Sequence, residues 1–281
     1  MMLLFRRVTL RVVLSLIAVS LFFLTIQDFL IFPGLYDSLL RGTKALPPKN
    51  IDAISLRAAD GQEVVVWRMR DVTRKSKAVA VFFHGNAEHL PHNVSMQQWL
   101  LGMGIDSYAV EYRGYSGRGS GWPSEQGFYL DAESVVAYSL KEEKIDANHL
   151  VVIGRSIGTG VAAYTAQKFS AGTLVLISPY SSLTKLVSEM PVFGLLAPLL
   201  KYSFPSREYV AALQNTCVVD AHGRSDRTIP FEHSMTLKNS YHGSREYALI
   251  ESLQAGHNDI MQYAQEPIKN GIEKCLNSNQ L

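Results

Sequence analysis

The sequence predicts an α/β fold, a mostly parallel central sheet with helices on both faces, carried behind an N-terminal transmembrane helix. Three observations predict it. Short apolar runs alternate with helix-compatible stretches over most of the chain, an order that calls for parallel strands joined by helical crossovers. A G-x-S-x-G pentapeptide stands at one strand-to-helix junction, at 154–158. Much of the apolar excess is concentrated in the first 32 residues.

Residues 12–26, V-V-L-S-L-I-A-V-S-L-F-F-L-T-I, run without a charge behind Arg6, Arg7 and Arg11. A bilayer core of about 30 Å needs roughly 20 apolar residues. Counting from Val8 nearly supplies them if Arg11 snorkels its guanidinium to the headgroups. A cleaved signal peptide shares the basic start and apolar centre, and Ala18-Val19-Ser20 is a weak small-x-small site. The apolar run nevertheless continues through Leu21-Phe22-Phe23-Leu24, where a cleavage region turns polar, so an uncleaved anchor over 1–32 is the expectation. Three arginines lie immediately before the span, whereas Arg41 and Lys44 lie further after it. The positive-inside rule then puts the N-terminus in the cytosol and the main domain outside the cytoplasm, periplasmic or lumenal. The first cysteine is Cys217, so acylation of an N-terminal cysteine does not supply the anchor.

Pro33, Pro47 and Pro48 mark 33–50 as a linker or extended covering segment. Strand-like runs follow at 53–56, 64–67, 78–83, 107–112, 150–153, 174–177, 217–219 and 247–250. Helix-compatible stretches lie around 93–103, 125–143, 158–169, 228–240 and 259–275. The Asp60-Gly61 turn predicts antiparallel pairing at one edge. No period repeats, and a single domain over 51–281 is the simplest division. The stretch 181–210 breaks the alternation with Pro191, Pro198 and Pro205 and an apolar face from Val192, Phe193, Leu195, Leu196, Leu199 and Leu200. It reads either as a core helix pair or as a lid over an apolar substrate channel. Its place between the strand-like runs at 174–177 and 217–219 favours the lid, with Phe193, Leu196 and Leu199 as candidate substrate contacts.

Composition excludes several classes. The 281 residues are 47% hydrophobic and 19% charged, which excludes a disordered chain. Twenty Gly and 11 Pro without a repeat exclude a collagen-like or low-complexity architecture. A formal charge of +2 gives no global field toward nucleic acid. Cys217 and Cys275 make neither a disulfide framework nor a zinc cluster, and spacing does not decide whether they pair.

The chemistry centres on Ser156. A tight turn between strand and helix projects its hydroxyl above the sheet, and Gly154 and Gly158 let the two elements pass closely. Serine needs a base, and His257 follows the last strand in a loop at the carboxyl edge of the sheet. His222, His233, His242 and His149 are expected on the surface or in structural turns. The orienting acid belongs between serine and histidine in chain order. Asp226 follows the strand at 217–219, with Asp220 and Asp259 as rivals. Oxyanion donors are expected from the Ile157 amide and from the Asn86 amide in the loop after 78–83, with His84 holding that loop in shape. His84, Glu88, His89 and His92 match no metal-ligand spacing, so no metal is assigned.

Together these segments resemble the membrane-anchored branch of the α/β-hydrolase-domain serine hydrolases. The likeness runs from Q-D-F-L-I-F-P after the anchor through F-F-H-G-N at 82–86, E-Y-R-G-Y at 111–115 and P-S-E-Q-G-F-Y-L-D-A at 123–132. It continues with G-R-S-I-G-T-G at 154–160, S-P-Y-S-S-L at 178–183, H-G-R-S-D-R-T-I-P at 222–230 and G-H-N-D at 256–259. The resemblance implies the α/β-hydrolase fold, the same triad and oxyanion amides, and no metal or organic cofactor. It also implies esterase, lysophospholipase or acyl-protein thioesterase activity on a small-molecule, lipid or acylated substrate. Two departures flank the expected pocket: Glu88-His89 after the His-Gly-Asn-Ala run, and a loop at 116–122 about one residue longer than usual.

Overall fold

In the computed structural model, which describes residues 2–41, 46–115, 121–191 and 193–278, the chain opens with the long helix α1 (Met2–Ile31) and the short α2 (Pro33–Arg41). The antiparallel strands β1 (Asp52–Arg57) and β2 (Glu63–Met69) follow. Strand and helix then alternate through β3 (Ala78–Phe83), α3 (Val94–Gly102), β4 (Ile105–Glu111), α4 (Glu125–Glu143), β5 (Leu150–Arg155) and α5 (Gly158–Phe169). After β6 (Thr173–Ile177) the chain makes α6 (Leu183–Ser188), a 3-10 helix at Gly194–Leu199 and α7 (Ser206–Ala211). It closes with β7 (Cys217–Gly223), α8 (Glu232–Ser240), β8 (Tyr247–Ser252) and α9 (Ile260–Ser278).

The eight strands lie in the order β1-β2-β4-β3-β5-β6-β7-β8, with β1, β2 and β4 joined by antiparallel pairs and every later pair parallel. Burial follows position in the sheet. β3 and β6, A-V-A-V-F-F and T-L-V-L-I, are buried along their whole length, as strands covered by helices on both faces must be. The edge strand β1 alternates between exposed and half-buried residues. Two apolar clusters result, one on each face; Val81 and Leu176 belong to one, Ala80 and Val175 to the other. Parallel pairing brings the carboxyl ends of β3, β5, β7 and β8 to one edge, and the site assembles there.

Three expectations change. Residues 33–41 are helical, not extended: Pro33 suits a first helical position, and Phe32 and Leu35 are buried. Gly34 lies so close to Tyr115 that a Cβ would fall 2.1 Å from its ring. The predicted linker therefore packs on the domain over this stretch, while 42–45, with Lys44, lies outside the described residues. The helix expected from 228 starts at Glu232, because the amides of Thr228 and Ile229 bond to the Asp226 carboxylate. His222 and His233 are buried, not superficial. His242 is exposed and His149 half-buried, paired with Asp146 in a turn.

Cys217, at the start of β7, is bonded to Cys275 in α9 with Cα atoms 5.6 Å apart, fastening the last helix to the sheet across 58 residues. Closing a loop of that length in the unfolded chain is worth about 4 kcal/mol on chain-entropy arguments. Cys275→Ala, or reduction, is therefore expected to lower the urea unfolding free energy by roughly that amount. Identical unfolding curves with and without reductant would show that the bond contributes nothing.

Candidate active site

β5 ends at Arg155, and Ser156 follows with φ of 52°, a left-handed conformation that non-glycine residues rarely adopt. Its amide donates to the Ile177 carbonyl on β6 at 2.9 Å, and α5 starts two residues later. Strand and helix can fold back this sharply only because Gly154 and Gly158 carry no Cβ. One at Gly154 would sit 2.4 Å from the Gly158 carbonyl oxygen, and one at Gly158 would sit 2.2 Å from that of Phe83. The strained turn lifts the serine hydroxyl clear of the sheet.

The loop after β8 brings His257 to this hydroxyl, with Nε2 3.0 Å from Ser156 Oγ. Its Nδ1 lies 2.7 Å from Asp226 Oδ2, in the loop after β7. The other oxygen of Asp226 accepts the amides of Thr228 and Ile229, both at 2.8 Å. Burial works to raise the Asp226 pKa, but hydrogen bonds from His222, His257 and the Ile229 amide outweigh it and hold the carboxyl well below the usual carboxylate range. The rival acids have other partners. Asp259 accepts the Gly256 amide at 2.7 Å and shapes the histidine loop, and Asp220 lies deeper, bonded to Ser234 and Tyr247.

His222 had no part in the sequence reading of the site. Its Nε2 faces two acceptors, the Ile229 carbonyl at 2.9 Å and Asp226 Oδ2 at 3.3 Å, so that nitrogen carries a proton. Its Nδ1 lies 2.7 Å from Ser234 Oγ, which in turn lies 2.9 Å from Asp220 Oδ1. These contacts make a buried polar line of His222, Ser234 and Asp220 behind Asp226.

Burial pushes Asp220 up to about 6, with the Tyr247 hydroxyl, His222 and Ser234 pulling the other way. A carboxyl raised in the folded state costs stability above its folded pKa, and that cost disappears as pH falls toward its unfolded value near 3.9. The wild type should therefore gain roughly 2–3 kcal/mol relative to Asp220→Asn between pH 7 and pH 4, measured by urea unfolding. A difference that stays flat with pH would show that Asp220 ionises freely.

Asn86 and Ile157 both line the cavity that holds Ser156 and His257. The Asn86 carbonyl is tied down by the Tyr115 hydroxyl at 2.9 Å and the Gly34 amide at 3.4 Å, and the Ile157 carbonyl by the Tyr180 hydroxyl at 3.0 Å. His84 is wholly buried under this loop, with Nδ1 2.8 Å from the Gly85 carbonyl and Nε2 3.3 Å from Glu111. Glu111 is buried too, which would raise its pKa, yet hydrogen bonds from His84 and His89 hold it down to about 2. Glu88 pairs with Arg155 at 2.7 Å, and Arg155 also reaches the Asn258 carbonyl at 3.2 Å. Glu88 and His89 thus brace the loop around Ser156; of 116–122, only Gly121 and Trp122 are among the described residues.

The cavity measures about 520 Å³, within the range of small-molecule sites. Its apolar walls include Leu183, Leu186, Val187, Met190 and Phe193 from the stretch expected to be a lid. Phe193 lies where expected, whereas Leu196 and Leu199 are not among the lining residues and Leu200 is. Three residues per turn in the 3-10 helix displace the inward positions from those of an α-helix, and the Leu199 carbonyl faces Gln27 of α1. Val192 lies outside the described residues. The sequence reading missed a further wall, made by Phe23, Gln27, Leu30 and Ile31 of α1. The adjoining Gln27-Asp28 was the available signal, since polar side chains ending an apolar helix need partners.

A family model described as serine aminopeptidase, S33, matches residues 74–243, which include Ser156 and Asp226 and stop short of His257. An uncharacterized protein of Mycobacterium tuberculosis is 28% identical over 206 residues, covering 73% of this chain and 72% of its own. The α/β hydrolase domain-containing protein 17B of Homo sapiens is 25% identical over 223 residues, covering 76% of this chain and 72% of its own. Among solved structures, a Pyrococcus furiosus esterase superposes with a TM-score of 0.66 at 19% identity, over 84% of this chain and 94% of that one. An acetyl xylan esterase from a Paenibacillus superposes with a TM-score of 0.65 at 18% identity, over 83% of this chain and 86% of that one.

Proposed function

The chain belongs to the serine aminopeptidase family of α/β-hydrolases, and from that membership we propose a membrane-anchored serine hydrolase that cleaves carboxylic esters or thioesters of acyl substrates. The observation that carries the proposal is the line Ser156 Oγ, His257 Nε2 at 3.0 Å, and His257 Nδ1 to Asp226 at 2.7 Å, built on a left-handed serine turn. In this mechanism Ser156 Oγ attacks the acyl carbonyl as His257 Nε2 takes its proton. Asp226 holds the imidazole in the tautomer with hydrogen on Nδ1 and stabilises the imidazolium. The amides of Asn86 and Ile157 receive the oxyanion. His257 then protonates the departing alcohol or thiol, and a water repeats the sequence to release the acid and restore Ser156.

The family's name favours a second reading, a peptidase acting at a free amine. Against it, none of the described residues lining the cavity is Asp or Glu, the side chains that would pair with that amine, and the walls are largely apolar. Initial rates on p-nitrophenyl esters and aminoacyl p-nitroanilides separate the two. Esters should be cleaved and anilides left, and faster anilide cleavage would reverse the assignment.

We place the catalytic domain, 51–281, outside the cytoplasm with α1 as an uncleaved anchor over 1–32. Arg6, Arg7 and Arg11 before the span support that orientation, and so does the Cys217–Cys275 bond, which persists in oxidising compartments. The apolar stretch Phe5–Ile31 is long enough to span a bilayer. Phe23, Gln27 and Asp28 are buried against the domain, which favours retention over cleavage.

A further inference from the structure

The anchor helix changes character along its length. From Phe5 to Phe22 its large apolar side chains are exposed, Leu16, Leu21 and Phe22 among them. At Phe23 the helix becomes part of the domain: Phe23 is 5% exposed and Gln27 fully buried. Gln27 Oε1 accepts the Lys201 amide at 2.8 Å. Asp28 accepts the Tyr202 hydroxyl at 2.8 Å, the Trp122 indole at 3.0 Å and the Lys201 ammonium at 3.3 Å. These bonds lock the carboxyl end of α1 onto the segment that follows the 3-10 helix.

The locked face is also the cavity wall. Phe23, Gln27, Leu30 and Ile31 recur at helical spacing, so one side of the last turns of α1 looks into the space that contains Ser156. A bilayer span of roughly 20 residues counted from Val8 ends near Gln27, which sets this wall at the level of the membrane surface. A second observation agrees with that level. On the rim beside α1, Leu195 is 91% exposed and Phe193 40% exposed, apolar side chains suited to an interface of headgroups and acyl chains.

We propose that the catalytic cavity opens onto the bilayer with α1 as one wall, so that the acyl chain of a membrane-resident ester passes along Phe23, Leu30 and Ile31 to Ser156. The inference rests on the ester-hydrolase reading and adds to it the route and the residues that select chain length. A chain taking this path stays in apolar surroundings, whereas a route through water exposes every methylene. α1 is on this account part of the substrate site as well as the anchor.

The test uses the full chain in phosphatidylcholine vesicles with p-nitrophenyl palmitate and p-nitrophenyl butyrate. Leu30→Trp and Ile31→Trp narrow the wall and should lower the palmitate-to-butyrate rate ratio at least tenfold. Leu14→Trp, on the lipid-facing part of α1, should leave the ratio as it is. Fluorophosphonate labelling of Ser156 in each variant verifies that the domain is folded. Ser156-dependent hydrolysis with an unchanged ratio in both wall variants overturns the route and leaves the hydrolase reading standing. Absence of any Ser156-dependent ester hydrolysis in the wild type removes both.

Discussion

Ser156→Ala is expected to lower kcat for p-nitrophenyl esters by on the order of 10⁶-fold, the loss seen when a serine hydrolase loses its nucleophile. The change removes one oxygen at a half-buried position. The turn itself depends on Gly154, Gly158 and the bond from the residue-156 amide to Ile177, all of which remain. Circular dichroism and urea unfolding should therefore match the wild type closely. Fluorophosphonate labelling should vanish, since no other hydroxyl stands 3.0 Å from His257 Nε2 among the described hydrogen bonds. A residual rate about 10³–10⁴-fold above water is compatible with the site, because oxyanion donors and binding act without the nucleophile. Retained labelling would falsify the assignment.

Asp226→Asn should reduce kcat by about 10⁴-fold with little change in KM. The ionised carboxylate accepts the Nδ1 hydrogen of His257 at 2.7 Å, leaving Nε2 free to take the serine proton. An asparagine can turn its NH₂ toward Nδ1, which then becomes the acceptor; the hydrogen moves to Nε2, and the base is lost. His222 aggravates the change, because its protonated Nε2 lies 3.3 Å from the same oxygen and would face an amide donor. The substitution also has a pH signature in stability. Asp226 is held below its ordinary pKa, so its ionised form stabilises the fold above about pH 4, and the contribution fades as pH falls through the folded pKa. The wild type should lead the asparagine variant in urea unfolding at pH 7 and lose that lead in acid. A constant lead down to pH 2 would mean that the carboxylate is not stabilised by its two histidines.

Much of the fold was legible because strand and helix patterns are local. A run such as A-V-A-V-F-F at 78–83 admits a strand buried on both faces, and all eight expected strands occur within a few residues of their expected bounds. The constellation of Ser156, Asp226 and His257 was legible for a related reason. In an alternating α/β chain, loops after parallel strands meet at one edge, so chain order stands in for proximity. The helix at 228–240 began late because a carboxylate two residues upstream of Thr228 captured its first amides, a competition that periodicity does not register.

What the sequence determined by itself was therefore whatever depends on near neighbours: the order of strands and helices, the glycine-flanked serine turn, and an apolar span with a basic start. Tertiary structure alone decided the rest. It drew His222 behind Asp226, bonded Cys217 to Cys275, and seated Gln27 and Asp28 against Lys201 and Tyr202. Each of these depends on groups far apart in the chain that must satisfy one another's hydrogen bonds once buried, and sequence spacing carries no measure of that distance.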